Sequence, residues 1–462
     1  MATSGGKARP APKTGKPGES AVRDPIVSVI MPVRDGAHFI VAAIEGLRRS
    51  TCQAYELIVV DDASSDGSGD IAAGLGAVVI SPGRWAGAAL ARMAGVERAR
   101  GEILAFIDAD VVVHPDALAK IVERLAGDPQ TSAVIGAYDD APSAPSVLSR
   151  FRNLLHTYFH RRGSPDAWTF WTGLGAIRRP AFEALGGFVD VPLDDVEFGA
   201  RLHEAGYRIA LDTSIQGTHL KDWTLALMVR TDVVMRGAPW IRLALERGFF
   251  RNDLNTSVMQ RASVAAAGAL LTLVAIGGLL NGLPLIAAVA GAGLALSVAA
   301  WGDAGRTPLR AGSLLVLTVM SLSAAGGLLV AGAWPAVLAL VTAAIVRILG
   351  RPAYRPRMDA AGVVLVIVIG AAVALSIAAA PPSVWGFAAL AVAGLYVGLN
   401  WRILAFMGVR MGLLGGVAAL PLLLVYHVSC GLAVVLGLAG YLAQWPSAPW
   451  KAPEPSPKEG RA

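Results

Sequence analysis

The chain has 462 residues, 54% of them hydrophobic, with a mean hydropathy of +0.54; that is too apolar for two soluble domains and points to a soluble part joined to a membrane part. A formal net charge of +6 is modest for this length and gives no sign of a nucleic-acid partner. The two cysteines, Cys52 and Cys430, fall in different halves, so no disulfide framework or cysteine metal cluster is implied.

Residues 1–24 are rich in Pro, Gly, Lys and Arg without an apolar core, which reads as a disordered basic tail and not as a signal peptide. Strands are then predicted near 26–32, 56–61, 77–81 and 103–108, separated by helical patterns near 38–50, 68–74 and 86–99. This alternation is that of a parallel sheet covered by helices, in which ligands bind beyond the carboxyl ends of the strands. Acids collect at those ends. Glu56-Leu-Ile-Val-Val-Asp-Asp-Ala-Ser-Ser-Asp-Gly67 runs from an apolar strand into paired acids, and Gly101-Glu-Ile-Leu-Ala-Phe-Ile-Asp-Ala-Asp110 ends in two carboxylates one residue apart. Residues i and i+2 of a strand share a face, so Asp108 and Asp110 are placed to converge on one hard cation. Asp66 and Asp116 read as cap or turn residues.

Further along come Trp168-Thr-Phe-Trp-Thr-Gly-Leu-Gly175 and Leu193-Asp-Asp-Val-Glu-Phe-Gly-Ala-Arg-Leu202. Gly173 and Gly175 would let backbone approach a ligand closely, and the acidic pair opens a helix with Phe198, Leu202 and Ala205 facing inward. His219 follows a strand-like segment, 207–211. From Thr224 to Arg251, Arg230, Arg236, Arg242, Arg247 and Arg251 alternate with apolar residues. That is the pattern of amphipathic helices in the headgroup plane, assigned to 223–255, with packing beneath the catalytic domain as the alternative.

After Ala262 the chain is a succession of apolar runs, read as about eight spans near 262–281, 284–301, 312–332, 335–349, 361–380, 384–399, 412–427 and 430–444, with a six-span version containing one re-entrant hairpin as the alternative because several runs are short and Gly-rich. Alternate loops carry Lys or Arg: Arg306 and Arg310, then Arg347 to Arg357, then Arg402 and Arg410, then the tail 446–462 with Lys451, Lys458 and Arg461. The intervening loops, including Tyr426-His-Val-Ser-Cys430, have none. By the positive-inside rule this places the N-terminal domain and the C-terminus in the cytosol of a multi-pass inner-membrane protein.

Four motifs in order, Val27-Ser-Val-Ile-Met-Pro32, Val59-Val-Asp-Asp62, Asp108-Ala-Asp110, and Gly186-Gly-Phe188 followed by Leu193-Asp-Asp195, resemble those of the family 2 glycosyltransferases with the GT-A fold. The resemblance covers roughly residues 25–220. It implies an α/β, Rossmann-like GT-A catalytic domain (25–222), here followed by an all-α polytopic membrane domain (256–445). It also implies an NDP-sugar donor and a divalent cation, Mg or Mn, with Asp110 as metal ligand, Asp108 at the ribose or a metal-bound water, Asp62 at the nucleobase and Pro32 to Arg34 lining its pocket. Arg92, in a stretch similar to the family's Arg-Asn helix, would reach the diphosphate. Asp195 would be the general base, Asp194, Trp171 and Gly173 would lie on the acceptor side, and His219 would join the metal. The sequence departs from the family pattern at Val33-Arg-Asp35, where an aromatic and Asn are common, and at Met93, where Asn is common; the Gln-X-X-Arg-Trp signature of processive synthases is absent. The expected function is inverting sugar transfer to a lipid-linked or membrane-proximal glycan hydroxyl, in contact with membrane lipids. A polyprenyl phosphate is the alternative acceptor. A haloacid-dehalogenase-like phosphatase, suggested by Ile103 to Val112, and a non-catalytic membrane scaffold are the alternatives of other classes.

Overall fold

The computed structural model describes residues 24–249, 252–280 and 384–444. The basic tail, the C-terminal tail 446–462 and the expected spans 284–301, 312–332, 335–349 and 361–380 lie outside the described residues.

The first half opens as β1 (Val27–Val33), α1 (Ala37–Arg48), β2 (Tyr55–Asp61), α2 (Ser68–Gly74), β3 (Val78–Ile80), α3 (Ala88–Arg98) and β4 (Ile103–Ile107), each within a few residues of its sequence prediction. These strands pair in parallel in the order β3-β2-β1-β4. The sheet continues through β8 (Leu174–Arg178), β6 (Thr131–Tyr138), β9 (Arg208–His219) and β5 (Val111–Val113), with β7 (Asp166–Ala167) on β9. Strand β4 is buried throughout because helices cover both faces, which is why it reads as an unbroken apolar run. Its alternate residues feed two cores. Ala105 and Ile107 meet α1 and α4 (Ala117–Gly127) on one side, whereas Leu104 and Phe106 meet a cluster of Phe170, Phe182, Phe188 and Phe198 on the other. Their contacting ring centroids lie 5.0–6.2 Å apart, favourable aromatic distances.

Helices α5 (Val147–His160), α6 (Arg179–Ala184) and α7 (Asp194–Glu204) complete the domain. The acidic pair does open α7, and Phe198 and Leu202 are buried; Ala205, expected inside, is exposed because the helix has ended at Glu204. Strand β9 runs on to His219 itself, beyond the predicted 207–211 segment.

Residues 224–249 form α8 (Leu225–Arg230), a π-helical turn (Thr231–Met235) and α9 (Gly237–Arg247). The arginines here do not all face outward. Arg236 turns to Asp195, Arg247 to Glu197 and Glu204, and Arg242 pairs with Glu246 within its own helix. Leu243 packs on Leu193 and Val196 at the start of α7, so packing against the catalytic domain accounts for much of this segment.

Helix α10 (Val258–Leu280) and α11 (Val384–Leu442) form the described part of the last third. Among the described residues, one helix, Phe387–Leu442, is long and apolar enough to cross a membrane. Three spans were expected across 384–444, with loops at 400–411 and 426–430. Instead α11 breaks once, at Gly412 (φ 77°), and folds back as two antiparallel arms. Glycines permit the turn: a Cβ on Gly416 would lie 2.8 Å from the Cα of Gly408. The stretch Tyr426–Cys430 is helical, and its His427 finds partners in the other arm of α11 and in α10. His427 bonds Tyr396 (2.8 Å) and Gln260 of α10 (2.9 Å). The half of the hairpin nearest Gly412 packs on the catalytic domain, with Ile403, Met407, Leu422, Leu423 and Tyr426 in one apolar cluster with Leu148, Phe151 and Leu155 of α5 and Met228 of α8.

Candidate active site

The turn after β4 carries Asp108 and Asp110, and β5 pairs with the end of β9 so that Val111 lies opposite His219. This brings His219 Nε2 to 3.5 Å from Asp110 Oδ2. Lys221 Nζ lies 4.0 Å from the same oxygen. Burial pushes the Asp110 carboxyl up, but His219 and Lys221 outweigh it and hold it below the usual carboxylate range, so the group is anionic at neutral pH. Among the described residues no group of three or more His, Cys, Asp or Glu is gathered for an ion. Asp110 and His219 still fit a divalent cation that takes its remaining ligands from phosphate and water, as Mg sites do.

Asp108 points the other way. Its Oδ1 lies 3.2 Å from Arg92, which reaches on to Asp194 at 2.7 Å. Arg92, on α3, is thus buried at 6% exposure as a bridge between the strand end and the start of α7. The Asp194 carboxyl is pushed up to about 6 by burial, against the pull of Arg92. Asp195 accepts from its neighbour's amide, Val196 N, at 2.9 Å and meets Arg236 at 3.3 Å. Glu197 is held by Arg201 and Arg247 and is structural.

At the other end of the cleft Pro32 sits half-buried in β1 opposite Val60. Both carboxylate oxygens of Asp62 accept from backbone amides, Ala86 N at 2.6 Å and Gly87 N at 3.0 Å, so Asp62 anchors the loop that leads into α3. The exposed Trp85 of that loop lies under the Arg34 guanidinium, 4.9 Å from the ring centre, and offers a flat aromatic face where the first strand has none.

Of the expected acceptor residues, Asp194 pairs with Arg92, whereas Trp171 and Gly173 pack on each other. Trp171 lies edge-on to Tyr138 at 4.7 Å and to His160 at 4.5 Å, and Tyr138 stacks on His219 at 4.2 Å; Trp171 therefore backs His219 through Tyr138. Gly173 makes room for that indole, since a Cβ there would lie 2.6 Å from the ring, and its carbonyl accepts from Asp108 N at 3.3 Å. Gly175 likewise clears Trp171 O, so these two glycines seat a tryptophan, whereas a close approach to ligand was expected. Trp168 packs on Phe249 at 3.8 Å, beside the far end of α7. Sequence reading missed Asn153, whose Oδ1 lies 2.9 Å from His219 Nδ1, and the turn of Arg236 toward Asp195. Asn153 shares its strip of α5 with Ser149, Arg150, His156 and Thr157, an ordinary polar face, so the sequence held no signal for either.

Residues 28–186 match the family described as Glycosyl transferase family 2. The probable glycosyltransferase YdaM of Bacillus subtilis (strain 168) is 28% identical over 207 residues, 40% of this chain and 48% of that protein. The glycosyltransferase AglE of Haloferax volcanii is 26% identical over 208 residues, 42% of this chain and 67% of its own. The chain thus spans about half the length of the first of these relatives. A solved mannosyltransferase, PcManGT from Pyrobaculum calidifontis in complex with GDP-Man and Mn2+, aligns at 20% identity over 80% of this chain and 86% of its own, with a TM-score of 0.36. Residues 28–186 thus match the family 2 glycosyltransferase description, and they form part of a mixed α/β sheet whose first four strands are parallel in the order β3-β2-β1-β4.

Proposed function

We propose that the chain is a membrane-bound, metal-dependent, inverting glycosyltransferase that moves a sugar from an NDP-sugar to a hydroxyl of a lipid-linked or membrane-proximal glycan. The observation that carries this reading is one continuous line of groups along the cleft. His219 and Asp110, 3.5 Å apart, stand beside Asp108, from which Arg92 leads to Asp194, next to Asp195. A divalent cation held by Asp110 and His219 would neutralise charge on the departing diphosphate. Lys221 and Arg92 add positive charge on that side, and Pro32, Arg34 and the loop anchored by Asp62 frame the base. Asp195 accepts the proton of the attacking hydroxyl as the bond from the anomeric carbon to the diphosphate breaks; a single displacement inverts that carbon. The catalytic domain is placed on the cytosolic face of the inner membrane, where nucleotide sugars are made.

Membranes incubated with a panel of labelled NDP-sugars, then extracted for lipid and glycan, test the reading. Asp195→Asn should lower turnover by ~10²–10⁴-fold, the usual worth of a positioned base, with donor affinity little changed. Full turnover in that variant rules Asp195 out as the base. One observation favours a second reading. Arg236, its side chain 49% exposed, stands against Asp195 and suits an anionic acceptor such as a polyprenyl phosphate, which needs no base. In that case the product is an acid-labile sugar-phosphate lipid, and Arg236→Gln loses more activity than Asp195→Asn.

A further inference from the structure

We propose that Asn153, on α5, is a positioning residue that fixes the ring-nitrogen tautomer of His219 so that an unprotonated Nε2 faces Asp110. The proposal rests on the metal reading of Asp110 and His219 above.

An indole N–H can only donate. Trp223 Nε1 lies 2.9 Å from one end of the Asn153 amide, so that end is the carbonyl oxygen. The other end, Nδ2, donates to Lys221 O at 3.1 Å, which agrees and blocks the flipped amide. The same oxygen lies 2.9 Å from His219 Nδ1, and two acceptors do not meet at that distance, so Nδ1 carries the hydrogen. In the neutral ring Nε2 is then a bare lone pair. It points at Asp110 Oδ2 across 3.5 Å, so the two groups would be placed to share a cation. Stacking on Tyr138, with the ring planes 8° apart, fixes the plane of the imidazole, and Asn153 fixes its rotation within that plane. Asn153 is 3% exposed, so water does not compete for the bond. An imidazole ligand whose second nitrogen donates to an oxygen is the common arrangement at metal centres.

Mn2+ affinity of the full-length protein in detergent, read from the electron paramagnetic resonance of free Mn2+ alone and again with UDP and with GDP, tests this without recourse to activity. His219→Ala should weaken binding. Asn153→Leu, which removes the acceptor, should weaken it ~10–100-fold, the usual cost of losing such a supporting bond, while Asn153→Asp, which keeps an oxygen for Nδ1–H but gives up the donor to Lys221 O, should lose clearly less than Asn153→Leu. If His219→Ala weakens binding and Asn153→Leu does not, Asn153 has no such role and the metal reading stands. Equal losses in Asn153→Leu and Asn153→Asp would mean that packing or the Nδ2 bond to Lys221 O, not the bond to His219, matters, and would overturn the proposal. Unchanged Mn2+ affinity in His219→Ala overturns the metal reading and this inference with it.

Discussion

Asp110 has the Lys221 ammonium 4.0 Å from its Oδ2 and remains partly open, with 17% of its side chain exposed. Asp110→Asn should therefore abolish transfer and leave folding intact, because the change removes one coordinating charge and no packing volume. Transfer assays with and without EDTA check this, and full activity in EDTA would dismiss the metal. Asp232, in the π-helical turn, behaves in the opposite way. It pairs with Arg152 but leaves Oδ2 without a partner, and burial pushes its carboxyl up to about 6 despite Arg152. A carboxyl raised above its unfolded value contributes stability that is complete below about pH 4 and lost as pH rises through about 6. Asp232→Asn stays neutral throughout, so the stability difference between variant and parent should shift toward the variant by on the order of 3 kcal/mol between pH 4 and 7. Denaturant titrations in detergent at both pH values measure it; a constant difference would contradict the raised value. Most of the acids were legible because each ends an apolar strand. Their partners were not, since Asn153 and His219 are 66 positions apart and Asp195 and Arg236 41, and no local pattern links residues at such separations.

Among the elements, α9 depends on close approach. A Cβ on Gly237 would lie 2.0 Å from Asp232 O and 2.5 Å from Ala433 Cβ in α11. Gly237→Ala should cost about 1–3 kcal/mol, as overpacking does, and should also slow transfer by shifting the neighbouring Arg236 away from Asp195. Gly74→Ala in α2, where a Cβ meets nothing within 4 Å, is the control and should leave the melting temperature unchanged or slightly raised. The strands and helices of the first half were legible because a sheet covered on both faces writes itself as apolar runs separated by turn residues. The loops of the last third were not. Tyr426 to Cys430 looks like a polar break, yet His427 is fully buried between Tyr396 of the other arm and Gln260 of α10.

For the molecule as a whole, the single break in α11 changes the topology read from alternating basic loops. Two antiparallel arms put positions 384 and 444 at one end and Arg410, which pairs with Asp140, at the other with the catalytic domain. Single cysteines introduced as Val384→Cys and Gln444→Cys should be labelled from the same face by an impermeant reagent. Labelling from opposite faces would restore the third span. The hairpin also covers a face of the domain that precedes it. The apolar residues Leu148 to Phe159 and Leu225 to Val233 leave the ribosome long before residues 403–426 arrive. At ~5–20 residues per second, the roughly 170 residues between them take about 10–35 s to synthesise, and through that interval the nascent catalytic domain waits with its greasy side bare, needing a chaperone or the bilayer surface itself to shield it.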